Sequence, residues 1–210
     1  PKVEPKADEL LRKMARTLTE AKSFQYDADH VLEVVSDNGE TLQFVAQSRV
    51  AVQRPNKARS DRLGAIADLT FYYDGSTITI YGKRAGLYAT TKAPDTLDAA
   101  LDFARDDLDI EAPAADLVYS DVYDGLMENV VSGRYIGKEP GGNRMCHHLA
   151  YRDTDTDWQI WIEDGETALP CRYVTKSKDI KGAPTFQVAF SNWNVSPQFA
   201  ADLFTFKPPR

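Results

Sequence analysis

Phe24-Gln25-Tyr26-Asp27-Ala28-Asp29-His30-Val31-Leu32-Glu33-Val34, the turn Asp37-Asn38-Gly39, and Leu42-Gln43-Phe44-Val45-Ala46-Gln47-Ser48-Arg49-Val50-Ala51-Val52 are two runs of one alternating pattern joined by a turn. Even-numbered positions on both sides of the turn are mostly apolar and odd-numbered ones mostly polar, the period-two alternation of strands with one buried face. Register is testable here, because a one-residue slip would turn every apolar side chain to the wrong face. A three-residue loop with Gly39 left-handed pairs Val34 with Leu42, Leu32 with Phe44, Tyr26 with Val50 and Phe24 with Val52. A two-residue Asn-Gly turn would set Glu33 against Phe44 and is rejected.

Upstream, Ala7, Leu10, Leu11, Met14, Leu18 and Ala21 recur at helical steps and predict an amphipathic helix over 5–21. Downstream, a two-residue turn at Asp74-Gly75 is expected to pair Phe71 with Ile78 and Leu69 with Ile80, leaving Tyr72, Thr70, Thr77 and Thr79 on the other face. The loop 153–156 sets Tyr151 against Trp158 and Leu149 against Ile160. Strands are therefore expected over about 24–91 and about 130–206. A two-helix insert is expected over about 95–127, with Asp95 capping a helix that carries Leu97, Leu101, Ala104 and Leu108. Pro113 is expected to open a second with Leu117, Val118, Val122 and Leu126. Ser196-Pro197 is expected to cap a turn of helix before a final Leu203-Phe204-Thr205-Phe206 segment.

Roughly ten or eleven antiparallel strands at about 4.8 Å spacing would make a flat sheet about 50 Å wide, more than two or three helices can cover. The predicted fold class is therefore α+β, one domain over 1–210. Its large antiparallel sheet is curled into a half-open barrel, with the helices on the concave side.

The chain has 210 residues, 25 basic and 32 acidic, for a net charge of −7. That balance gives no reason to approach nucleic acid or an anionic membrane, and no apolar run nears the ~20 residues of a membrane span. A chain beginning at Pro1 without Met is expected to have lost an upstream segment, such as a cleaved signal peptide.

Enzyme motifs are absent: there is no G-x-S-x-G, H-E-x-x-H, Walker A loop or Rossmann fingerprint. No catalytic residue, metal or cofactor is therefore expected. His147 and His148, adjacent on a strand, point to opposite faces and cannot share an ion. Asp153, Asp155 and Asp157 have calcium-loop spacing, but Trp158 stands where such a loop needs Gly, so a solvated turn is expected. Asn194-Val195-Ser196 is a formal glycosylation sequon followed by Pro197 and is expected to be silent. Cys146 and Cys171, the only cysteines, fit one disulfide as well as two reduced core thiols. A bridge closing about 25 residues would contribute about 3.5 kcal/mol on the chain-entropy account. Tyr26, Phe44, Phe71, Trp158, Ile160, Phe186 and Phe190 occupy inward positions and are the candidate lining of a ligand cavity, weighed against simple core filling. Trp161, of opposite parity to Ile160, is expected on the outer face.

Val52-Gln53-Arg54-Pro55-Asn56-Lys57, Tyr72-Tyr73-Asp74-Gly75-Ser76-Thr77-Ile78-Thr79-Ile80-Tyr81, Cys146-His147-His148-Leu149-Ala150 and Trp158-Gln159-Ile160-Trp161-Ile162 follow one another in order. Gly165, Leu169-Pro170, Arg172 and Phe204-Thr205-Phe206-Lys207-Pro208-Pro209 complete the set. Together they resemble a bacterial family of predicted periplasmic proteins, a domain of unknown function within the LolA/LolB-like lipoprotein-carrier superfamily. The resemblance implies a half-open barrel with helices at its mouth and a periplasmic location. It also implies an apolar cavity for a lipid, an acylated peptide or lipoprotein acyl chains, without enzymatic activity. The competing expectation is an envelope sensor or regulatory domain that binds a protein partner and holds no stable lipid, like the LolA-like regulators of an anti-sigma factor.

Overall fold

The helical stripe of the N-terminus and the alternating patterns that follow it resolve, in the computed structural model, into twelve strands and three α-helices among residues 2–65, 68–110, 112 and 114–209. In chain order these are β1 (Lys2–Val3), α1 (Pro5–Glu20), β2 (Ser23–Val35), β3 (Thr41–Gln53), β4 (Lys57–Gly64), β5 (Asp68–Tyr73), β6 (Thr77–Gly82) and β7 (Leu87–Lys92). The chain continues with α2 (Leu97–Asp106), α3 (Val122–Met127), β8 (Val130–Gly141), β9 (Arg144–Asp153), β10 (Thr156–Glu163), β11 (Pro170–Ser177) and β12 (Thr185–Asn194).

All twelve strands join one sheet in the order β1-β8-β9-β10-β11-β12-β2-β3-β4-β5-β6-β7. Every pairing is antiparallel except the two-residue parallel contact of β1 with β8. The sheet curls into a half barrel and does not close. β1, too short to leave a period in the sequence, is one of the strands that the pattern does not place.

The β2–β3 ladder has the expected register, with Val34 opposite Leu42, Leu32 opposite Phe44, Tyr26 opposite Val50 and Phe24 opposite Val52. Gly39 supplies the left-handed backbone of its turn at φ 86°. Tyr151 faces Trp158 and Leu149 faces Ile160, also as expected. The β5–β6 hairpin corrects the sequence reading: Phe71 pairs with Ile80, Tyr73 with Ile78 and Leu69 with Gly82. The turn slides by one position to Gly75-Ser76, because the Asp74 carboxylate accepts hydrogen bonds from the Ser76 and Thr77 amides and closes an Asx turn. The ladder thus shifts by two residues, and every side chain keeps its face.

The helical insert departs further from expectation. Thr96, not Asp95, caps α2, its hydroxyl accepting from the Ala99 amide. The expected second helix is broken into a 3-10 turn at Ala115–Leu117 and the short α3, which Asp121 caps; Pro113 lies outside the described residues. After β12 there is neither a helical turn at Ser196-Pro197 nor a final strand. Instead Phe206 packs among Tyr72, Tyr81 and Tyr88 on the outer face of β5–β7, with ring centroids 4.8 to 5.4 Å away.

The two halves of the concave side are packed differently. Over β8–β11, α1 lays Leu11, Met14 and Leu18, all fully buried, on a layer built from Leu149, Tyr151, Trp158 and Ile160. Tyr151 and Trp158 stack at 4.1 Å, and Tyr173 meets Trp158 at 6.0 Å. Gly133 makes that stack possible: a Cβ there would lie 2.5 Å from the Tyr151 ring. Over β2–β6, the inward positions include Ala28, Ala46, Ser48, Ala58 and Ser60. Side chains this small cannot reach the insert across a curled sheet, so a hollow remains.

On the outer face Cys146 and Cys171 form a disulfide with Cα atoms 6.7 Å apart, joining β9 to β11 beside a bulge in β10. Trp161 lies on that face as expected, stacked on His148 at 4.0 Å and donating its indole N–H to Glu139. His148 bonds Glu139 and Gln159, whereas His147 bonds Tyr135 and Asp164, so the two rings serve separate networks.

Candidate functional site

The hollow is a cavity of about 350 Å³ between the inner face of β2–β6 and β12 and the insert, near the lower end of the roughly 300–1,000 Å³ usual for small-molecule sites. Its floor is built by Tyr26, Val50, Phe71, Ile80 and Phe190, and its roof by Leu101, Ala104, Ile110 and Val118. Period-two alternation aims the floor residues inward. The 3.6-residue period of α2 aims Leu101 and Ala104 down at them.

The roof is pinned by buried polar contacts rather than by packing alone. Arg54 donates to the carbonyls of Val118, Tyr119 and Leu18, tying the insert to α1, and its burial holds the guanidinium pKa below the ordinary value. Tyr73 donates to the Pro94 carbonyl at 2.7 Å, anchoring the segment that leads into α2. The Arg54-Pro55 and Tyr72-Tyr73 motifs are thus structural supports of the roof.

A polar belt crosses the sheet between the apolar floor and the mouth. Ser48 lies directly opposite Arg62 in the β3–β4 register and bonds the His30 ring through Nε2 at 2.8 Å. Desolvation first, and the positive charge of Arg62 second, push the His30 pKa down to about 4. The Nε of Arg62 is buried and has no hydrogen-bond partner among the described residues, a state that ordinarily costs about 1–3 kcal/mol. Beyond the belt, Leu32 and Phe44 are half-buried, and Val34 and Leu42 are exposed; Leu69, paired with Arg62, is exposed at the level of the belt. An apolar path therefore leads from the cavity to solvent. On the insert side Asp116 lines the cavity, its carboxyl pKa raised by desolvation and moderated by Arg105.

His30 has a measurable consequence. An imidazole held neutral in the fold but basic in the unfolded chain makes the unfolded state bind more protons between about pH 4 and 6.5, so stability falls as pH drops through that window. The expected loss is about 2 kcal/mol, after discounting about 1.36 kcal/mol per pKa unit for the ring's partial exposure. Asp116, with its raised pKa, works in the opposite sense at the acid end and offsets part of it. Urea unfolding at pH 6.5 and pH 4.5 should show the loss, and His30→Gln should flatten it. An unchanged slope in that variant would assign the effect elsewhere.

Of the seven residues expected to line a cavity, Tyr26, Phe71 and Phe190 come together in its floor. Phe186 is buried beside His30, with ring centroids 5.7 Å apart, and Phe44, half-buried opposite Leu32, lies one rung beyond His30 and does not line the cavity. Trp158 and Ile160 lie under α1 in the filled half, away from this cavity. Trp158 contributes instead to a more open groove of about 980 Å³, whose walls carry Arg134, Arg152, Gln159 and Lys176. Sequence reasoning missed Arg62, Ser48 and the insert residues. The run Ala58-Arg59-Ser60-Asp61-Arg62 held the signal: two small inward residues followed by an inward cation.

Among the described residues no cluster of three or more His, Cys, Asp or Glu is placed to hold a metal ion, and no helix is long and apolar enough to cross a membrane.

Residues 7–210 match the family described as "Predicted periplasmic protein (DUF2092)". The chain belongs to that family. The periplasmic location expected from the motifs agrees with the description DUF2092 carries. No curated protein matches the sequence. Among solved structures the chain is similar in fold to LprF from Mycobacterium bovis, with a TM-score of 0.59 and 14% identity over 94% of this chain and 97% of that one. It is also similar to the Mycobacterium tuberculosis lipoprotein LppX, with a TM-score of 0.51 and 11% identity over 93% and 98% of the two chains. A LolA superfamily protein from Nitrosomonas europaea matches with a TM-score of 0.46 and 10% identity over 95% and 97%.

Proposed function

We propose that this DUF2092 chain is a non-enzymatic periplasmic binding or carrier protein. It holds a hydrophobic ligand, such as the acyl chain of a lipid, an acylated peptide or a lipoprotein, in the cavity beneath the insert. The observation that carries the reading is the apolar hollow itself: sheet curvature and small inward side chains leave about 350 Å³ that no residue fills, roofed by a pinned insert and open to solvent on one side. Each methylene moved from water into such a site gains about 0.8 kcal/mol, so one chain of moderate length reaches micromolar affinity after ordering costs.

One place in the cavity brings a hydroxyl to a potential base, the 2.8 Å pair of Ser48 and His30. Burial holds that imidazole too weakly basic for general-base work near neutral pH. Among the described residues no carboxylate bonds its other nitrogen as a nucleophilic triad requires. The pair serves binding, not hydrolysis.

Val50→Trp fills the cavity from its floor at a strand position that accepts a large aromatic residue. It should weaken uptake of a fluorescent fatty-acid probe at least about ten-fold, the loss of two buried methylenes' worth of contact, while the far-UV spectrum is kept. Ser60→Phe, on the neighbouring strand, should do the same. Full uptake by both folded variants would place the ligand elsewhere, and the envelope-partner reading would then lead.

A further inference from the structure

Resting on the reading that the cavity takes an apolar chain, we propose that its ligand is a single-chain amphiphile with an anionic head. The Arg62 guanidinium receives that head where the cavity opens to the mouth. Three observations converge on Arg62. It points inward from β4, immediately past the small residues Ala58 and Ser60 whose size leaves the hollow, and opposite Ser48. Its nearest carboxylate in sequence, Asp61, is already taken by Arg59 and Lys83 on the outer face. Its Nε donor is buried without a partner among the described residues. A buried donor beside an apolar hollow is satisfied by an acceptor carried on an apolar tail, and a carboxylate or phosphate can take two guanidinium N–H groups at once.

The neighbours suit the same head. The neutral His30 ring and the Ser48 hydroxyl, bonded to each other, bring polar atoms without a competing negative charge. Asp116 and Arg105 line the cavity from the insert, across from the belt on β2–β4. Leu32 and Phe44 lie one rung beyond the belt on the solvent side, and Leu69 stands beside Arg62 itself on the neighbouring strand. An amphiphile would therefore lie with its tail against Tyr26, Phe71 and Ile80 and its head at the belt. The modest volume favours one chain over several.

Isothermal titration calorimetry of the full chain with dodecanoate, dodecyl phosphate and dodecanol, the anions below their micelle concentrations and the alcohol below its solubility limit, tests this. Both anions should bind at least about ten-fold tighter than the alcohol, the scale of one charge-assisted hydrogen bond. The tighter of the two names a fatty-acid or a phosphate source. Arg62→Met should level the three affinities, and Arg62→Lys should keep part of the preference. Equal binding of anions and alcohol by the unaltered chain, or a preference that survives R62M, overturns the proposal. In that event dodecanol binding leaves the apolar-cavity reading intact, whereas binding of none of the three removes both.

Discussion

Trp158→Ala is expected to lower the unfolding free energy by about 3–5 kcal/mol, the usual cost of removing a large aromatic side chain from a close-packed core. Trp158 is 4% exposed, lies flat on Tyr151 at 4.1 Å and meets the edge of Tyr173 at 6.0 Å. Collapse around the void is opposed on both sides. Tyr151 is held through its hydroxyl to the Ala7 carbonyl of α1, and the backbone of Gly133 already presses on its ring. The half-buried Phe44 is the control, and its alanine variant should cost about half as much or less. Urea unfolding with an unchanged m-value measures both. Trp158→Ala should also leave fatty-acid uptake unaltered wherever the variant is folded, because the ring belongs to the filled half of the barrel. A loss under about 1 kcal/mol would mean that α1 is not seated on this layer as described.

The second large effect concerns the outer face. Replacing Cys146 and Cys171 together by serine opens a loop of sequence separation 25, and the chain-entropy relation then predicts a loss of about 3.5 kcal/mol. The bridge joins β9 to β11 at the point where the β10–β11 register shifts between Trp161 and Ile162, so it secures a place where that ladder is irregular. Trp161 and Val174 pack with the two cysteines, and Gly141 leaves the space, since a Cβ there would fall 2.5 Å from the Cys146 sulfur. Chemical unfolding of the double variant beside the oxidised chain gives the difference. Thiol titration of the denatured, unreduced chain should find no free thiol. Two reactive thiols, or a double variant as stable as its parent, would contradict the account of this face.

What the sequence disclosed depended on whether a signal was local. Strand parity and turn chemistry act within a few residues, so the Phe24 to Val52 ladder, with its three-residue loop at Gly39, was legible to the residue. At Asp74 the faces were legible and the pairing was not, because an Asx turn slides the register by two without changing any side chain's face. The broken insert shows another limit: Leu117, Val118, Val122 and Leu126 keep a helical spacing and are all buried, yet a 3-10 turn and a separately capped helix achieve that burial. The cavity was the hardest feature to read. Tyr26 and Trp158 carry the same inward aromatic signal, but one faces small residues and a lifted roof while the other is covered by α1. Periodicity reports which face a residue occupies, and the volume across from it belongs to elements distant in the chain. Ala28, Ala46, Ala58 and Ser60 were the available clue, since small side chains on the concave face of a curled sheet must leave space unless another element fills it.

The proposed function has the half barrel holding an apolar chain. Its most direct test is mass spectrometry of an organic-solvent extract of the protein purified from its native envelope, beside a similarly purified protein without a cavity. A stoichiometric single-chain anionic amphiphile is expected in the first extract alone. An extract that stays empty after the stripped protein has been offered envelope lipids would contradict it.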